Sequence, residues 1–243
     1  MAEPLKILII DNKRDVESYG SWNLVHWALK TAPTGSTVIV RRAPDQDLPA
    51  DKNWDAVIIS GSRTSCMERN EPWIASFEFF IEEQIKKDTP ILGVCYGHQS
   101  LARCLAKLQG EEIKLGRCKD AELGWQTIQV LEPSGILEGF TGSFVTFQSH
   151  YEEVQALPPG TRLLASTDRC PIQAFEVIGK PVFGIQFHPE AFVKEAEETL
   201  AEKLKKGERR DWILNAGKGP KLYSETVGDR IFGNFFRLAD AKR

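Results

Sequence analysis

The chain has 243 residues, 42% hydrophobic and 27% charged, with a formal charge of -3, enough for a full core but without the concentrated positive field that binding a nucleic-acid backbone needs. No apolar run approaches the roughly 20 residues of a membrane span, and the start "MAEPLKILIID" reads as a first strand, not a secretory signal; a cytoplasmic protein with no nucleic-acid and no membrane partner is expected. The five cysteines, Cys66, Cys95, Cys104, Cys118 and Cys170, are odd in number and scattered, with no CxxC and no nearby His pair, which argues against a disulfide framework or a zinc site.

In chain order, "LKILII" from Leu5 to Ile10 is a continuous β-prone run, as expected for a strand buried on both faces of a parallel sheet. A helix-like stretch follows over 16–30, then strand-like "STVIVRRA" and "WDAVIISGS", the latter ended by Gly61. Over 73–87, apolar residues at Ile74, Phe77, Phe80, Ile81 and Ile85 mark one helical face. "PILGV" is strand again, and a helical pattern resumes behind it. From Gly116 to about Phe187 the pattern turns strand-rich, with "WQTIQVL", "SFVTFQS", "TRLLAST", "CPIQAFEVI" and "PVFGIQF" between Pro and Gly turns. A charged amphipathic stretch over 193–206, a loop at "GKGP" and a last helix over 225–239 complete the chain. The alternation predicts an α/β fold, a doubly wound, mostly parallel sheet flanked by helices with additional antiparallel strands, in one domain over 1–243 with a helical tail from about 192.

In such a sheet, sites form at the carboxyl ends of strands. Gly93-Val94-Cys95-Tyr96-Gly97 lies there and has the form of a nucleophile elbow. A cysteine can simply be a buried core residue. At a helix amino terminus, however, free N–H groups and the positive end of the macrodipole favour a thiolate. A cysteine nucleophile needs a base, and the base needs an orienting group. Of the four histidines, His26 reads as a partly buried helical residue, His98 follows the elbow in an unsettled direction, and His150 in "FQSHYEEV" is a pocket-lining candidate. His188 ends the strand of "VFGIQFHPE", and Glu190 projects to its side if the segment is extended. An oxyanion needs donors: the Tyr96 N–H is placed to be one, and the Ser62 N–H in "SGSRTS" reads equally as a second donor and as part of an ordinary turn.

These segments resemble the class I, triad-type glutamine amidotransferases, especially the amidotransferase domain of GMP synthetase and its stand-alone relatives. "GVCYGHQ" and "FHPE" stand in the family's order, with "FQSHYEEV" similar to the segment between them. The resemblance implies Cys95 as nucleophile, His188 as general base and acid, Glu190 as orienting carboxylate, and Tyr96 and Ser62 as oxyanion donors. It also implies that Gln99 contacts glutamine and that the Ser149, His150 and Tyr151 backbone holds its α-amino and carboxylate groups. The implied reaction is attack on the γ-carboxamide, a γ-glutamyl thioester, ammonia and then glutamate, with no metal and no organic cofactor.

Two departures stand out. The family's "GGP" turn is here Gly61-Ser62-Arg63, and no SGGxDS-type ATP pyrophosphatase loop is present, so either a separate synthase accepts the ammonia or ammonia transfer is not the purpose. "SGS" with "DAELGWQTI" also resembles the γ-glutamyl peptidases of the same superfamily, whose substrate is a γ-glutamyl peptide or glutathione conjugate. A non-catalytic interaction or regulatory module on this fold is a further reading, which the presence of all three triad residues disfavours. Arg63 and Trp125 are possible wall residues, though exposure of the one and packing of the other explain them as well. The stretch over 194–210 offers a docking face, or a solvated helix face with the stripe Ala196, Leu200 and Leu204 turned inward.

Overall fold

The computed structural model describes residues 3–14, 21–50 and 53–243. The elements in order are β1 (Lys6–Asp11), α1 (Trp22–Thr31), β2 (Thr37–Arg42), β3 (Ala56–Ile59), α2 (Pro72–Lys86), β4 (Ile91–Val94), α3 (Tyr96–Leu108), β5 (Leu115–Val130), β6 (Ser143–Val154), β7 (Thr161–Ser166), β8 (Ala174–Val177), β9 (Val182–Ile185), α4 (Val193–Lys205), β10 (Ile213–Leu214), α5 (Gly219–Leu222) and α6 (Glu225–Ala241). The predicted order of strands and helices is observed, with shifted bounds and with the unpredicted short strand β10 added after α4. The helix expected over 16–30 is seen as α1 from Trp22, its first part lying outside the described residues. "GKGP" is not merely a loop, because Gly219 and Pro220 begin the short α5, where proline's fixed φ suits a helix start.

One ten-stranded sheet runs β10-β5-β7-β8-β9-β4-β3-β1-β2, with β6 paired to β5. The strands β2, β1, β3, β4 and β9 are mutually parallel, and β5 to β9 form the antiparallel part. Successive side chains of a strand point to opposite faces, so a strand covered on both sides must be apolar throughout. Ile7 and Ile9 of β1 pack with Trp27 of α1 and Ile231 and Phe235 of α6 on one face. Leu8 and Ile10 pack with Phe77 and Ile81 of α2 and Leu101 of α3 on the other. This three-layer burial is what the run "LKILII" encodes. A smaller cluster, Leu123, Trp125 and Phe147 with Ala196 and Leu200, seats α4 against β5 and β6.

Because β1, β3, β4 and β9 run the same way, their carboxyl ends share one edge. Asn12, Ser60, Cys95 and the segment leading to His188 therefore converge although far apart in sequence.

Candidate active site

Cys95 occupies a single residue between β4 and α3, with φ 52° and ψ -106°. That left-handed conformation costs a β-carbon residue about 1 to 3 kcal/mol and persists only where its surroundings enforce it. Here the Cys95 N–H donates to Ile185 O at 2.8 Å, and its carbonyl accepts from Gln99 N–H at 3.1 Å. Two glycines make the turn sterically possible. A β-carbon on Gly97 would stand 2.5 Å from Ile59 O, and one on Gly93 would stand 2.6 Å from Gly97 O. The helix thus starts against the sheet backbone, and the first N–H groups of α3, Tyr96 among them, flank the sulfur without intrahelical partners. The Tyr96 side chain does not enter the cleft; it is buried against Phe77 and Trp73.

The structure brings His188 and Glu190 to this sulfur. His188 Nδ1 lies 2.7 Å from Glu190 Oε1. The pair is not formed by an extended segment: the backbone turns at residues 189–190, and Ala191 N–H donates to His188 O. The ring is instead fixed from β6, through His188 N–H donating to Phe147 O at 2.9 Å. A β-carbon placed on Gly61 would meet His188 Cε1 at 3.3 Å and Cys95 Cβ at 3.4 Å, so imidazole and thiol face each other across this glycine. Burial works to lower the His188 pKa, but the Glu190 carboxylate and the Cys95 sulfur outweigh it and raise it to about 10. An imidazolium at neutral pH is the partner a thiolate requires.

The turn carrying Ser62 is braced by Asn12. Asn12 N–H donates to Ser60 Oγ at 2.9 Å, Asn12 Nδ2 to Ser60 O at 2.9 Å, and Ser62 Oγ to Asn12 O at 2.8 Å. Thr64 N–H in turn donates to Ser62 Oγ at 3.0 Å, so the serine in place of the second glycine of "GGP" has become a structural strut.

Cys95, Ser62, Gln99, Ser149, His150 and Tyr151 all line one cleft of about 720 Å³. Its outer wall holds Arg63 and, from α4 and the turn behind it, Glu202, Lys203, Lys206 and Glu208. The face of α4 expected to be merely solvated therefore borders the site, an effect of docking invisible in its helical pattern. Lys203 Nζ donates to Tyr151 Oη at 2.9 Å and sits 4.6 Å over the Tyr151 ring, while Tyr151 Oη donates to Glu208. Trp125 is packed, not a wall: it is buried and its Nε1 donates to Glu197 at 3.0 Å.

The remaining histidines separate cleanly. His98 is fully buried against Phe175, facing away from the sulfur, and burial pushes its pKa down to about 3. His26 is exposed, not partly buried, with its ring against Phe192. The His150 side chain turns beneath the cleft, where Nε2 is 3.0 Å from Glu122 Oε2. Among the described residues, Glu122, His150 and Cys170 bring potential metal-ligand atoms within 4.8 Å of one another. The Glu122 oxygens already accept from Thr167 at 2.7 Å, Gln173 at 2.6 Å and Gln126 at 3.2 Å, which describes a hydrogen-bonded anion, not an open cation cage. Sequence reasoning missed Glu122 and Asn12, since neither lies within a recognised motif and each meets its partners only across strands.

A family model described as glutamine amidotransferase class-I matches residues 13–206. The chain is 33% identical over 198 residues to a GMP synthase (glutamine-hydrolyzing) subunit from Methanosarcina acetivorans, covering 81% of this chain and 93% of that one. It is 32% identical over 166 residues to the protein of the same name from Pyrococcus abyssi, covering 68% and 81%. A glutamine amidotransferase structure from Thermotoga maritima superposes with a TM-score of 0.76 at 20% identity, covering 98% of this chain and 99% of that one. A glutamine amido transferase structure from Methylobacillus flagellatus superposes with a TM-score of 0.78 at 17% identity, covering 97% and 95%; both likenesses are of fold. None of the described helices is long and apolar enough to cross a membrane.

Proposed function

From the premise that the chain belongs to the class-I glutamine amidotransferases, we propose that it hydrolyses the γ-carboxamide of glutamine through a γ-glutamyl thioester on Cys95. The observation that carries the reading is the convergence of a strained elbow cysteine with a His188–Glu190 pair held at 2.7 Å. In this mechanism the Cys95 thiolate attacks the carboxamide carbon, and the charge moves to the carbonyl oxygen. The N–H groups of Tyr96 and Ser62 receive that oxyanion; one such donor is worth about 3 to 4 kcal/mol in comparable sites. Collapse breaks the C–N bond as His188 gives its proton to the departing ammonia. His188, then neutral, takes a proton from water attacking the thioester, and glutamate leaves with the thiolate restored. Glu190 orients the ring throughout.

Gln99 and the 149–151 backbone are the groups we assign to holding glutamine, and residues 1–243 are read as one catalytic unit. The relatives are named as belonging to GMP synthase, and by analogy the ammonia goes to a separate synthase chain. Ammonia release from glutamine, with Cys95→Ala as control, tests the reading: release that persists in C95A, or is absent with and without a synthase chain, overturns it.

One observation favours a second reading. A cleft of about 720 Å³ is of the size that drug-sized ligands fill, far beyond a single amino acid, and its outer wall carries Arg63, Lys203 and Lys206 interspersed with Glu202 and Glu208, Lys206 being paired with Glu202. A γ-glutamyl peptide, whose leaving amino acid bears a carboxylate, uses that space through the same acyl-enzyme. Parallel assays with glutamine and γ-glutamyl dipeptides separate the two; a silent, folded wild type that resists both leaves only the non-catalytic module.

A further inference from the structure

Below the floor of the cleft lies a buried carboxylate that the proposed chemistry does not use. Glu122 is 0% exposed and stands opposite His150 in the β5–β6 ladder, just after an irregularity between Arg117 and Glu122. The irregularity turns the carboxylate inward, where Thr167, Gln173, Gln126 and His150 surround it. Burial alone raises a carboxyl pKa, but His150 with Thr167 and Gln126 holds this one below the ordinary value. Glu122 is thus an anion sealed inside the protein, which is costly unless its pairing is kept intact.

The pairing continues towards the cleft. His150 has an acceptor at each nitrogen, Glu122 Oε2 at 3.0 Å from Nε2 and Glu152 O at 3.2 Å from Nδ1, with Cys118 Sγ a weaker neighbour at 3.5 Å. Glu152 O also accepts from Gln99 Nε2 at 2.8 Å, and the second amide hydrogen of Gln99 goes to Gln186 Oε1 at 3.0 Å. Both donors of Gln99 are then committed, and what it has left for a ligand is its oxygen, an acceptor suited to a carboxamide or ammonium N–H. Gln99 in turn starts from the elbow, through its N–H to Cys95 O.

We propose that Glu122 is a positioning residue for substrate: through His150 it fixes the backbone of 149–152 and the acceptor orientation of Gln99 beside Cys95. It never touches the reacting atoms. The inference rests on the glutamine-hydrolysis reading, because the substrate it orients is a γ-glutamyl group.

The test is saturable inactivation by a diazoketone analogue of glutamine, set beside alkylation by iodoacetamide, which needs no binding site. Glu122→Gln keeps shape and hydrogen-bonding reach but removes the charge. It is expected to raise the half-saturating analogue concentration about tenfold, the scale of one charge-assisted hydrogen bond, while the limiting inactivation rate and the iodoacetamide rate hold. His150→Gln is expected to raise the half-saturating analogue concentration likewise and supplies the comparison if E122Q does not fold. The double variant is expected to be no worse than the worse single one, since the two residues act as one unit. A folded E122Q that saturates like wild type overturns the inference. So does an equal fall in limiting rate and iodoacetamide rate, which places the effect on the nucleophile. A wild type that does not saturate with the analogue refutes the hydrolysis reading instead, and is thereby told apart.

Discussion

Replacing Glu190 by Gln isolates the charge of the orienting group from its geometry. The Gln carboxamide oxygen accepts from His188 Nδ1–H as the carboxylate does at 2.7 Å, so the ring keeps its place and loses only its counter-charge. Raising the imidazole from 6.5 to about 10 amounts to about 5 kcal/mol in favour of imidazolium, at about 1.4 kcal/mol per tenfold. Two unit charges at this separation give about 6 kcal/mol at an effective dielectric constant of about 20, the same order of magnitude. Glu190 is the foremost of the groups favouring the imidazolium, and losing one charge-assisted hydrogen bond, about 1.5 to 3 kcal/mol, lowers the imidazolium–thiolate population about 10-fold to 100-fold.

The expected result for E190Q is a fall in kcat/KM for ammonia release of about that factor at neutral pH, with KM little changed. Cys95 alkylation at neutral pH should be slower in E190Q than in wild type, because the cation beside the sulfur is weakened. The sign of the stability effect follows from a raised histidine: the pair stabilises the fold fully below about pH 6.5 and loses that contribution as pH rises towards about 10. The difference in urea midpoint between wild type and E190Q should accordingly shrink over that window. A folded E190Q with wild-type kcat/KM and an unchanged alkylation rate would refute the reasoning.

Gly97→Ala drives a β-carbon to 2.5 Å from Ile59 O, and since a backbone oxygen cannot step aside it should cost about 1 to 3 kcal/mol in urea unfolding. Its kcat should fall as α3 lifts its N–H groups away from the oxyanion position. Trp27→Ala empties a fully buried ring stacked 5.7 Å from Phe232 and should cost about 3 to 5 kcal/mol, measured by thermal or urea unfolding with Cys95 alkylation as the check on the native fraction. Lys203→Met separates the two substrate classes: under the peptidase reading KM rises for γ-glutamyl dipeptides and not for glutamine, and equal effects on both argue against a carboxylate subsite.

Most of the fold was legible because its signals are local. Continuous apolar runs mark strands covered on both faces, and the Ile74, Phe77 and Ile81 spacing marks α2. The elbow was legible because glycines bracket a cysteine where a strand yields to a helix. Glu190 was named for the right neighbour on a different geometry: the chain turns after His188, and the contact survives because Phe147 anchors the histidine backbone. The inner stripe of α4, read at Ala196, Leu200 and Leu204, holds at the first two and fails at Leu204, which is exposed near the helix end, while the opposite prospect, that Lys203 and Glu202 border the cleft, depends on where β6 lies.

The sequence by itself determined the strand and helix order and the chemical identity of the elbow, since both follow from residue type and near-neighbour spacing. Only the tertiary structure decided that the His188 ring is held by a turn and by β6, that His98 turns into the core, and that Glu122 pairs with His150 beneath the cleft. Those outcomes depend on strand order and on the register between β5 and β6. Register is set by the burial of whole faces together, so no single segment of the chain carries it.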